Sequence, residues 1–310
     1  MQQVDQLVHQ ALESDIALIT RVGKHIFNGR GKRLRPMILV LSARACCCQQ
    51  MEVVHHLAAI IEIIHVTTLL HDDVIDNSKT RRGKPTANMV FGNAASILVG
   101  DFLYSRVFQM MLSLDNMPVM RILSKAANII VEGEILQLEN IGNVSLTESD
   151  YLKVIRYKTS KLFEVSAQLG AILADASEKE QQAFVQYGGY IGTAFQIIDD
   201  LLDFSGNYEA TGKDLGNDLA EGKLTLPLIY AIEQGTPRQA EAVRRAIKKA
   251  DRTQLPEIID IVNQTEALTL TLQCAENLAE QAISAISELD DSVYKETLIQ
   301  LAHFVLKRDC

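Results

Sequence analysis

The sequence has no tryptophan, and only 5% of its 310 residues are aromatic. Sheet-rich folds favour aromatic side chains, whereas this chain has few of them and many leucine, isoleucine and alanine residues. Apolar residues make up 47% of the sequence, which is enough to bury a sizeable core. The composition therefore predicts an all-α fold rather than a β-sandwich.

The chain also lacks an excess of basic residues, and its net charge is −9. A nucleic-acid-binding protein needs a basic face, so we do not expect a nucleic-acid partner. The acidic balance does not exclude a small anionic substrate, since local groups of arginine and lysine can bind one.

Signals for zinc binding, export and membrane insertion are absent as well. The five cysteines are Cys46, Cys47, Cys48, Cys274 and Cys310. They form no Cys-x-x-Cys pair, which argues against a zinc site. Residues 1–15 have neither the basic start nor the apolar segment of a signal peptide, and no stretch is apolar enough to span a membrane. We expect a cytoplasmic protein with reduced, mostly buried thiols and no stable membrane insertion.

Apolar residues recur with helical spacing along most of the chain. The predicted helices cover residues 4–27, 37–48, 53–70, 94–112, 119–138, 147–174, 177 to about 203, and 224–234, with shorter helices up to 307. Capping-box patterns begin the helices after Thr147 and Ser177, and polar loops are predicted at 77–92 and 207–222. Because no linker or repeat of fixed period divides the sequence, we expect one domain over residues 1–310.

The most informative pattern is Asp-Asp-x-x-Asp, which occurs twice, each time after an apolar helical run. The two copies consist of Asp72, Asp73 and Asp76, and of Asp199, Asp200 and Asp203. Residues four apart lie on one face of a helix, and carboxylate oxygens are the ligands that Mg²⁺ prefers. A single copy is more often a solvated helix end. Two copies indicate two helices that face each other across a cavity and hold a metal-bridged diphosphate.

Basic residues and one histidine accompany these motifs. Lys32 and Arg35 precede a predicted helix, where they form either an anion site with the free N–H groups or an exposed basic loop. Arg81 and Arg82 follow the first acidic motif in a short loop. His65 lies on a strongly apolar helix, where a histidine is more often a core residue than a functional one.

Five sequence blocks, taken in order, resemble the trans-isoprenyl (polyprenyl) diphosphate synthases over nearly the whole chain. They are Gly31-Lys32-Arg33-Leu34-Arg35-Pro36, Asp72-Asp73-x-x-Asp76 with Arg81-Arg82, Lys158-Thr159-Ser160-Lys161-Leu162-Phe163, Phe195-Gln196-x-x-Asp199-Asp200-x-x-Asp203, and Gly212-Lys213-Asp214 with Glu221-Gly222-Lys223-Leu224-Thr225-Leu226-Pro227. The closest resemblance is to bacterial long-chain members that make octaprenyl diphosphate. Arg30 and Ser160 depart from the family pattern, which more often has glycine at the first position and glycine or alanine at the second.

The resemblance implies a bundle of long antiparallel helices around a central cavity, usually as a homodimer. It implies Mg²⁺-dependent, head-to-tail condensation of isopentenyl diphosphate onto an allylic diphosphate, with farnesyl diphosphate the expected primer. About two or three Mg²⁺ ions per site are expected. The expected product is octaprenyl diphosphate for quinone side chains, and such a lipid implies loose association with a membrane.

The resemblance also assigns roles to single residues. Catalytic roles fall on Asp72, Asp73, Asp76, Lys158, Thr159, Gln196 and Asp199. The metal ligands are expected to be Asp72, Asp73, Asp76, Asp199, Asp200 and Asp203, of which Asp73, Asp200 and Asp203 complete or orient the cluster. Cationic side chains would bind the allylic diphosphate through Arg81, Lys158, Lys213 and Lys223, and isopentenyl diphosphate through Lys32, Arg35, His65 and Arg82. Thr159 and Gln196 would also contact the substrate, whose cation their oxygen dipoles stabilise.

Product length is expected to depend on small residues beneath the first acidic motif. Thr67 and Thr68 lie five and four residues before Asp72. Family members with a bulky aromatic side chain there close the product tunnel early, so these threonines predict a long product. Met110 and Met111 are expected at the tunnel floor, although ordinary core positions would explain them equally well.

Three other interpretations remain open on the residues alone. A terpene cyclase shares the first acidic motif but usually carries an Asn-Ser-Glu type motif in place of the second. A metal-dependent phosphohydrolase, suggested by His71 with His55 and His56, would leave the lysine and arginine blocks unexplained. An inactive subunit of a two-component synthase would have lost aspartates or basic residues that are present here.

Overall fold

The computed structural model describes residues 1–27, 31–81, 83–205 and 215–307, and the fold is all-α, as predicted. The described helices are α1 (Gln2–Ala11), α2 (Ala17–Phe27), α3 (Leu34–Ala45), α4 (Met51–Ile75), α5 (Ala87–Phe91), α6 (Asn93–Ser113), α7 (Met117–Glu139), α8 (Glu148–Ile155), α9 (Lys161–Leu173), α10 (Glu178–Ser205), α11 (Asn217–Ala220), α12 (Leu226–Gln234), α13 (Pro237–Lys249), α14 (Leu255–Gln264), α15 (Ala267–Ala285) and α16 (Val293–Leu306). Two short helical turns, a π-turn at Arg156–Ser160 and a 3₁₀ turn at Arg252–Gln254, link α8 to α9 and α13 to α14. Strands β1 (Thr80–Arg81) and β2 (Lys84–Pro85) pair as an antiparallel hairpin.

The predicted helices are confirmed in position, but four segments differ from the prediction. One of them is the loop predicted at 207–222, which contains α11. The helix predicted over 4–27 is two helices, because Ser14 accepts the Ile16 N–H and turns the chain between them. The loop predicted at 77–92 contains the β1–β2 hairpin and α5. The segment 147–174 is interrupted by the π-turn, where the Ser160 hydroxyl donates to the Ile155 carbonyl oxygen.

The capping boxes are confirmed by hydrogen bonds in both directions. At the start of α8, the Thr147 hydroxyl oxygen accepts the Asp150 N–H while the Asp150 carboxylate accepts the Thr147 N–H. Ser177 and Glu180 form the same pair at the start of α10. Each box satisfies backbone donors that a helix start leaves without an intrahelical partner.

By length and composition, α4 is capable of crossing a membrane, which corrects the expectation that no stretch is. However, 67% of its most apolar window is buried inside the protein, where Leu57, Ile60 and Ile61 are fully covered. A helix at the centre of a protein core passes the same test, so this finding is weak support for a membrane span.

The described cysteines are free thiols. Cys48 is buried and its S–H donates to the Leu173 carbonyl oxygen at 3.1 Å. Cys46 and Cys274 are half-buried, and Cys47 is exposed. Among the described cysteines, the prediction of buried thiols therefore holds fully for Cys48 alone. Cys47 lies in the turn after α3, with φ +59°, and its thiol is exposed.

The chain divides into two compact units. Unit 1 consists of Met1–Ser124, Val165–Gln182 and Asp290–Lys295, and unit 2 of Lys125–Glu164, Ala183–Leu289 and Glu296–Cys310. Within unit 1, α4 packs against α1, α3 and α6. Within unit 2, α12 packs against α13 and α15, and α14 also packs against α15. The first acidic motif belongs to unit 1 and the second to unit 2, and the single domain over 1–310 stays a prediction.

Candidate active site

The first acidic motif lies at the C-terminal end of α4. Asp72 and Asp76 are half-buried and one helical turn apart, whereas Asp73 is only 1% exposed. The Arg81 guanidinium donates to Asp73 through two nitrogens, with Nη2 2.8 Å and Nε 3.0 Å from Oδ1. Asn88 donates to the backbone carbonyl oxygen of Asp73 at 3.1 Å. The Asp73 carboxylate therefore fixes the direction of Arg81, which is predicted to bind diphosphate.

The hairpin that carries Arg81 is tied to its surroundings by further hydrogen bonds. The Thr86 hydroxyl donates to the Ser78 carbonyl oxygen at 2.7 Å, and His25 Nε2 lies 2.8 Å from the Pro85 carbonyl oxygen. The first contact joins the two ends of the hairpin, and the second joins β2 to α2. Arg82, the second predicted cation of this segment, lies outside the described residues.

The basic segment before α3 is ordered by a buried ion pair. Arg33 takes a left-handed backbone conformation, with φ +50°, and pairs with Glu62 of α4, which is 4% exposed. This pair fixes the chain between Lys32, which is exposed, and Arg35, which is half-buried. Arg35 Nη1 lies 3.3 Å from His65 Nε2. The structure thus places Arg35 beside His65, and the anion site at this segment stays a prediction.

A pocket in unit 1 brings several of these residues together. Its lining includes three residues predicted from the sequence, namely His65, Asp73 and Arg81. The lining also includes the cations Arg33 and Lys84 and a second carboxylate, Glu62. Arg33 and Arg81 are paired with Glu62 and Asp73, so Lys84 is the remaining cation among the described residues of this lining.

In unit 2, Lys158 occupies the π-turn between α8 and α9, and π-turns are frequent at functional sites. Its ammonium lies 2.6 Å from Glu134 Oε2 and 2.5 Å from Gln137 Oε1, both on α7. At Gly133, a Cβ would lie 2.4 Å from the backbone nitrogen of Lys158, so α7 touches the π-turn directly. The neighbouring Lys161 forms a separate ion pair with Glu164, at 2.6 Å.

A chain of hydrogen bonds connects the remaining predicted catalytic groups of unit 2. The Thr159 hydroxyl donates to Gln196 Oε1 at 3.1 Å, and Gln196 Nε2 donates to Asp200 Oδ1 at 2.7 Å. The Tyr151 hydroxyl donates to Asp200 Oδ2 at 2.6 Å. Burial raises the pKa of Asp200 to about 7, although both donors oppose the shift. The chain fixes the Gln196 amide so that its oxygen lies beside the Thr159 hydroxyl.

The third aspartate of the second motif, Asp203, binds the start of α11. The Asp203 carboxylate accepts the backbone N–H groups of residues 217 and 218, at 3.1 and 3.0 Å, and so caps α11. Lys223 Nζ lies 2.6 Å from Glu221 Oε2. Lys213, which is predicted to bind the allylic diphosphate, lies outside the described residues.

The donor set fits a hard divalent cation in chemistry, although the carboxylates are not gathered into a cluster. Across residues 1–27, 31–81, 83–205 and 215–307, no three His, Cys, Asp or Glu side chains lie close enough to hold a metal ion. The half-buried Asp72, Asp76 and Asp199 offer the oxygen donors that Mg²⁺ prefers, while Asp73 and Asp200 are held by neighbouring donors. The six metal ligands stay a prediction.

The residues predicted to set product length differ in exposure. Thr67 is 1% exposed, and its hydroxyl has no hydrogen-bond partner in the part of the chain that the structure describes. Thr68 is half-buried and donates to the His65 carbonyl oxygen at 2.8 Å. Met111 is buried and Met110 half-buried on α6. Their roles in a product tunnel stay predictions.

Three residues near predicted groups were not found from the sequence: Glu134, Gln137 and Tyr151. Glu134 and Gln137 are polar positions three apart on a largely apolar helix, a spacing that places them on one face. That spacing was the only available signal, because both also fit a solvated helix face. Tyr151 lies 49 residues from its partner Asp200, and no local pattern joins the two.

Known proteins resemble this chain over nearly its whole length. The chain matches the model of the polyprenyl synthetase family over residues 16–264. It is 48% identical to octaprenyl diphosphate synthase of Escherichia coli K12 over 307 residues, which cover 99% of this chain and 95% of that protein. It is 40% identical to a geranyl-diphosphate-specific all-trans-nonaprenyl-diphosphate synthase of Rhodobacter capsulatus over 305 residues, 98% of this chain and 94% of that one. The crystal structure of polyprenyl synthase from Caulobacter crescentus CB15, complexed with calcium and isoprenyl diphosphate, is similar at a TM-score of 0.95 and 38% identity, and the likeness covers 99% and 94% of the two chains.

Proposed function

The chain belongs to the polyprenyl synthetase family and is a prenyltransferase, and on that premise we propose that it is a long-chain trans-polyprenyl diphosphate synthase of the octaprenyl type. The observation that carries the proposal is the 48% identity to an octaprenyl diphosphate synthase over 99% of this chain. The reaction adds isopentenyl diphosphate head to tail onto an allylic diphosphate. Repeated additions lengthen the product.

In each cycle, the C–O bond between the allylic carbon and its diphosphate breaks, and an allylic cation forms. The double bond of isopentenyl diphosphate then forms the new C–C bond, and a proton is lost to the released diphosphate. Mg²⁺ bound to Asp72, Asp76 and Asp199 would neutralise the charge of the leaving group. The side chains Arg81 and Lys158 would hold that diphosphate in place as it leaves.

Gln196 and Thr159 would stabilise the allylic cation through their oxygen dipoles. Support for this role comes from the hydrogen bonds to Thr159 and Asp200, which leave the Gln196 amide one orientation. A dipole that is already oriented needs no reorganisation when charge develops. No side-chain nucleophile or general base is required.

Isopentenyl diphosphate would bind in unit 1, at the basic segment with Lys32, Arg35 and His65. The proposal is supported by the contact between Arg35 and His65, and His65 also lines the pocket of unit 1. Guanidinium groups suit diphosphate because they donate two parallel hydrogen bonds.

Farnesyl diphosphate is the proposed primer, and octaprenyl diphosphate for quinone side chains is the proposed product. Small side chains at Thr67 and Thr68 leave room for a long product beneath the first acidic motif. One relative is described as geranyl-diphosphate specific, so the two primers need to be compared directly on this chain.

We further propose a cytoplasmic homodimer that meets a membrane loosely through its lipid product. Support for the dimer comes from α6, which exposes Leu98, Phe108 and Leu112 at 66%, 49% and 65%. These residues share one face, because positions 98, 101, 105, 108 and 112 follow at intervals of three or four. The stripe carries three large exposed apolar side chains and is interrupted by Asp101 and Ser105, and exposed apolar side chains on one face are typical of a protein–protein interface.

The reaction is tested by measuring diphosphate release from purified protein. Release is expected only when farnesyl diphosphate, isopentenyl diphosphate and Mg²⁺ are all present, and chelation of the metal should abolish it. Asp72→Ala is expected to lower the rate at least about 100-fold, because the leaving group then loses its cation. Release from farnesyl diphosphate alone would instead indicate a phosphohydrolase or a cyclase.

A further inference from the structure

The Lys158 ammonium is held by two side chains of α7. Glu134 Oε2 and Gln137 Oε1 lie 2.6 and 2.5 Å from Lys158 Nζ. The Lys158 and Glu134 side chains are only 20% and 22% exposed, so water and salt screen this pair less than a surface ion pair. The lysine is thus held in one orientation before any ligand binds.

The backbone beneath this lysine is fixed by the same helix. A Cβ at Gly133 would lie 2.4 Å from the Lys158 nitrogen and 2.8 Å from its Cα, a separation that no side chain tolerates. The glycine therefore permits the direct contact between α7 and the π-turn. Since Gly133 and Glu134 are adjacent, α7 holds both the backbone and the ammonium of Lys158.

This arrangement suits a lysine that must receive a phosphate group. An unrestrained lysine loses much rotamer freedom when it binds a ligand, and a lysine that is already ordered does not. An ammonium has three N–H donors. Glu134 and Gln137 accept two of them, which leaves the third for a ligand oxygen.

We propose that Glu134, with Gln137, is a positioning residue that holds Lys158 ready for the allylic diphosphate, an inference that rests on the proposed function. Glu134 acts through the lysine and not on the substrate, because a carboxylate in direct contact with diphosphate would repel it. The inference therefore predicts a loss of affinity for the allylic substrate alone.

The test is calorimetric titration with farnesyl diphosphate and Mg²⁺, without isopentenyl diphosphate, so that no elongation occurs. Glu134→Ala is expected to weaken binding about tenfold, because Lys158 must then be ordered by the ligand. Glu134→Gln keeps an oxygen acceptor and is expected to stay within about threefold of the wild type. The control is Glu132→Ala, which removes another α7 carboxylate, one that accepts a hydrogen bond from Asn128. The affinity of Glu132→Ala for farnesyl diphosphate is expected to be unchanged. The affinity of Glu134→Ala for isopentenyl diphosphate is expected to be unchanged as well.

Three results would overturn the positioning role. Unchanged binding in Glu134→Ala would mean that the ion pair has no effect on the lysine. Tighter binding would mean that the carboxylate competes with the diphosphate. Equal weakening of both substrates with a lowered melting temperature would indicate a general structural role. A wild-type protein that binds no farnesyl diphosphate would overturn the proposed function, and this inference with it.

Discussion

Two of the aspartates in the acidic motifs are buried carboxylates with directed donors. Asp73 receives the Arg81 guanidinium, and Asp200 receives the Tyr151 hydroxyl and the Gln196 amide. A buried carboxylate is costly without such donors, so the partners are needed for the fold as well as for the chemistry. The aspartates themselves were predicted from their spacing, but Tyr151 was not, because its contact depends on how distant segments pack.

Tyr151→Phe is expected to destabilise the protein, because Asp200 stays buried and loses one donor. The free energy of unfolding should fall by about 1–3 kcal/mol, measured by thermal or urea unfolding. The initial rate of diphosphate release should fall too, because Asp200 also orients Gln196. As a control, Tyr157→Phe removes a hydroxyl from a half-buried tyrosine of the same segment and should cost no more than about 0.5 kcal/mol. Equal stability of the two variants would show that the Tyr151 hydrogen bond contributes nothing.

Thr67→Phe is expected to shorten the product without abolishing turnover, because a larger side chain beneath the first acidic motif narrows the path of the growing chain. The measurement is chromatographic sizing of the labelled products. Thr67→Val is the matched control, because it keeps the side-chain volume and removes a buried hydroxyl that has no partner among the described residues. The product length and the stability of the protein should therefore not fall. An unchanged product distribution in Thr67→Phe would remove Thr67 from the tunnel wall.

At the scale of elements, the sequence predicted helix starts better than interruptions within helices. The capping boxes at Thr147 and Ser177 are local patterns of side chain and spacing, and both are confirmed. The π-turn at Arg156–Ser160 leaves no such pattern, because apolar spacing continues across it. It is marked instead by a tertiary contact, the close approach of Gly133, which a single sequence cannot reveal.

Gly133→Ala is expected to destabilise this junction, because its Cβ would meet the Lys158 backbone nitrogen at 2.4 Å. Overpacking against backbone typically costs about 1–3 kcal/mol, so the melting temperature should fall. The control is Gly189→Ala on α10, where a Cβ would meet only Glu164 Oε2, at 3.9 Å. Alanine there should stabilise the helix by up to about 1 kcal/mol. Equal melting temperatures in the two variants would contradict the close contact.

At the scale of the molecule, composition and periodicity were sufficient for the all-α class, and the motifs were sufficient for the family. They did not predict that the chain divides into two compact units, each with one acidic motif. Such a division depends on contacts between residues far apart in sequence, as with Val165–Gln182, which joins the N-terminal helices in unit 1. Local patterns carry no information about such contacts.

The proposed homodimer predicts that charges on the α6 stripe produce monomers. In Leu98→Lys/Leu112→Lys, the exposed apolar face carries like charges in both copies, which repel when the copies meet. The molar mass from light scattering is expected to halve at micromolar concentration. Gln50→Lys places the same charge at an exposed position outside α6 and should leave the mass unchanged. A wild-type protein that is already monomeric would contradict the dimer.

The central claim is that this chain builds a long polyprenyl diphosphate, and sizing the product of the wild-type protein tests it most directly. Purified protein would be incubated with labelled isopentenyl diphosphate and Mg²⁺, with farnesyl or geranyl diphosphate as the primer. We expect one main product of about eight isoprene units, formed only in the presence of the metal. A product only one or two units longer than the primer would keep the reaction but contradict the argument from Thr67 and Thr68. No elongation by folded, metal-loaded protein would contradict the proposed function itself.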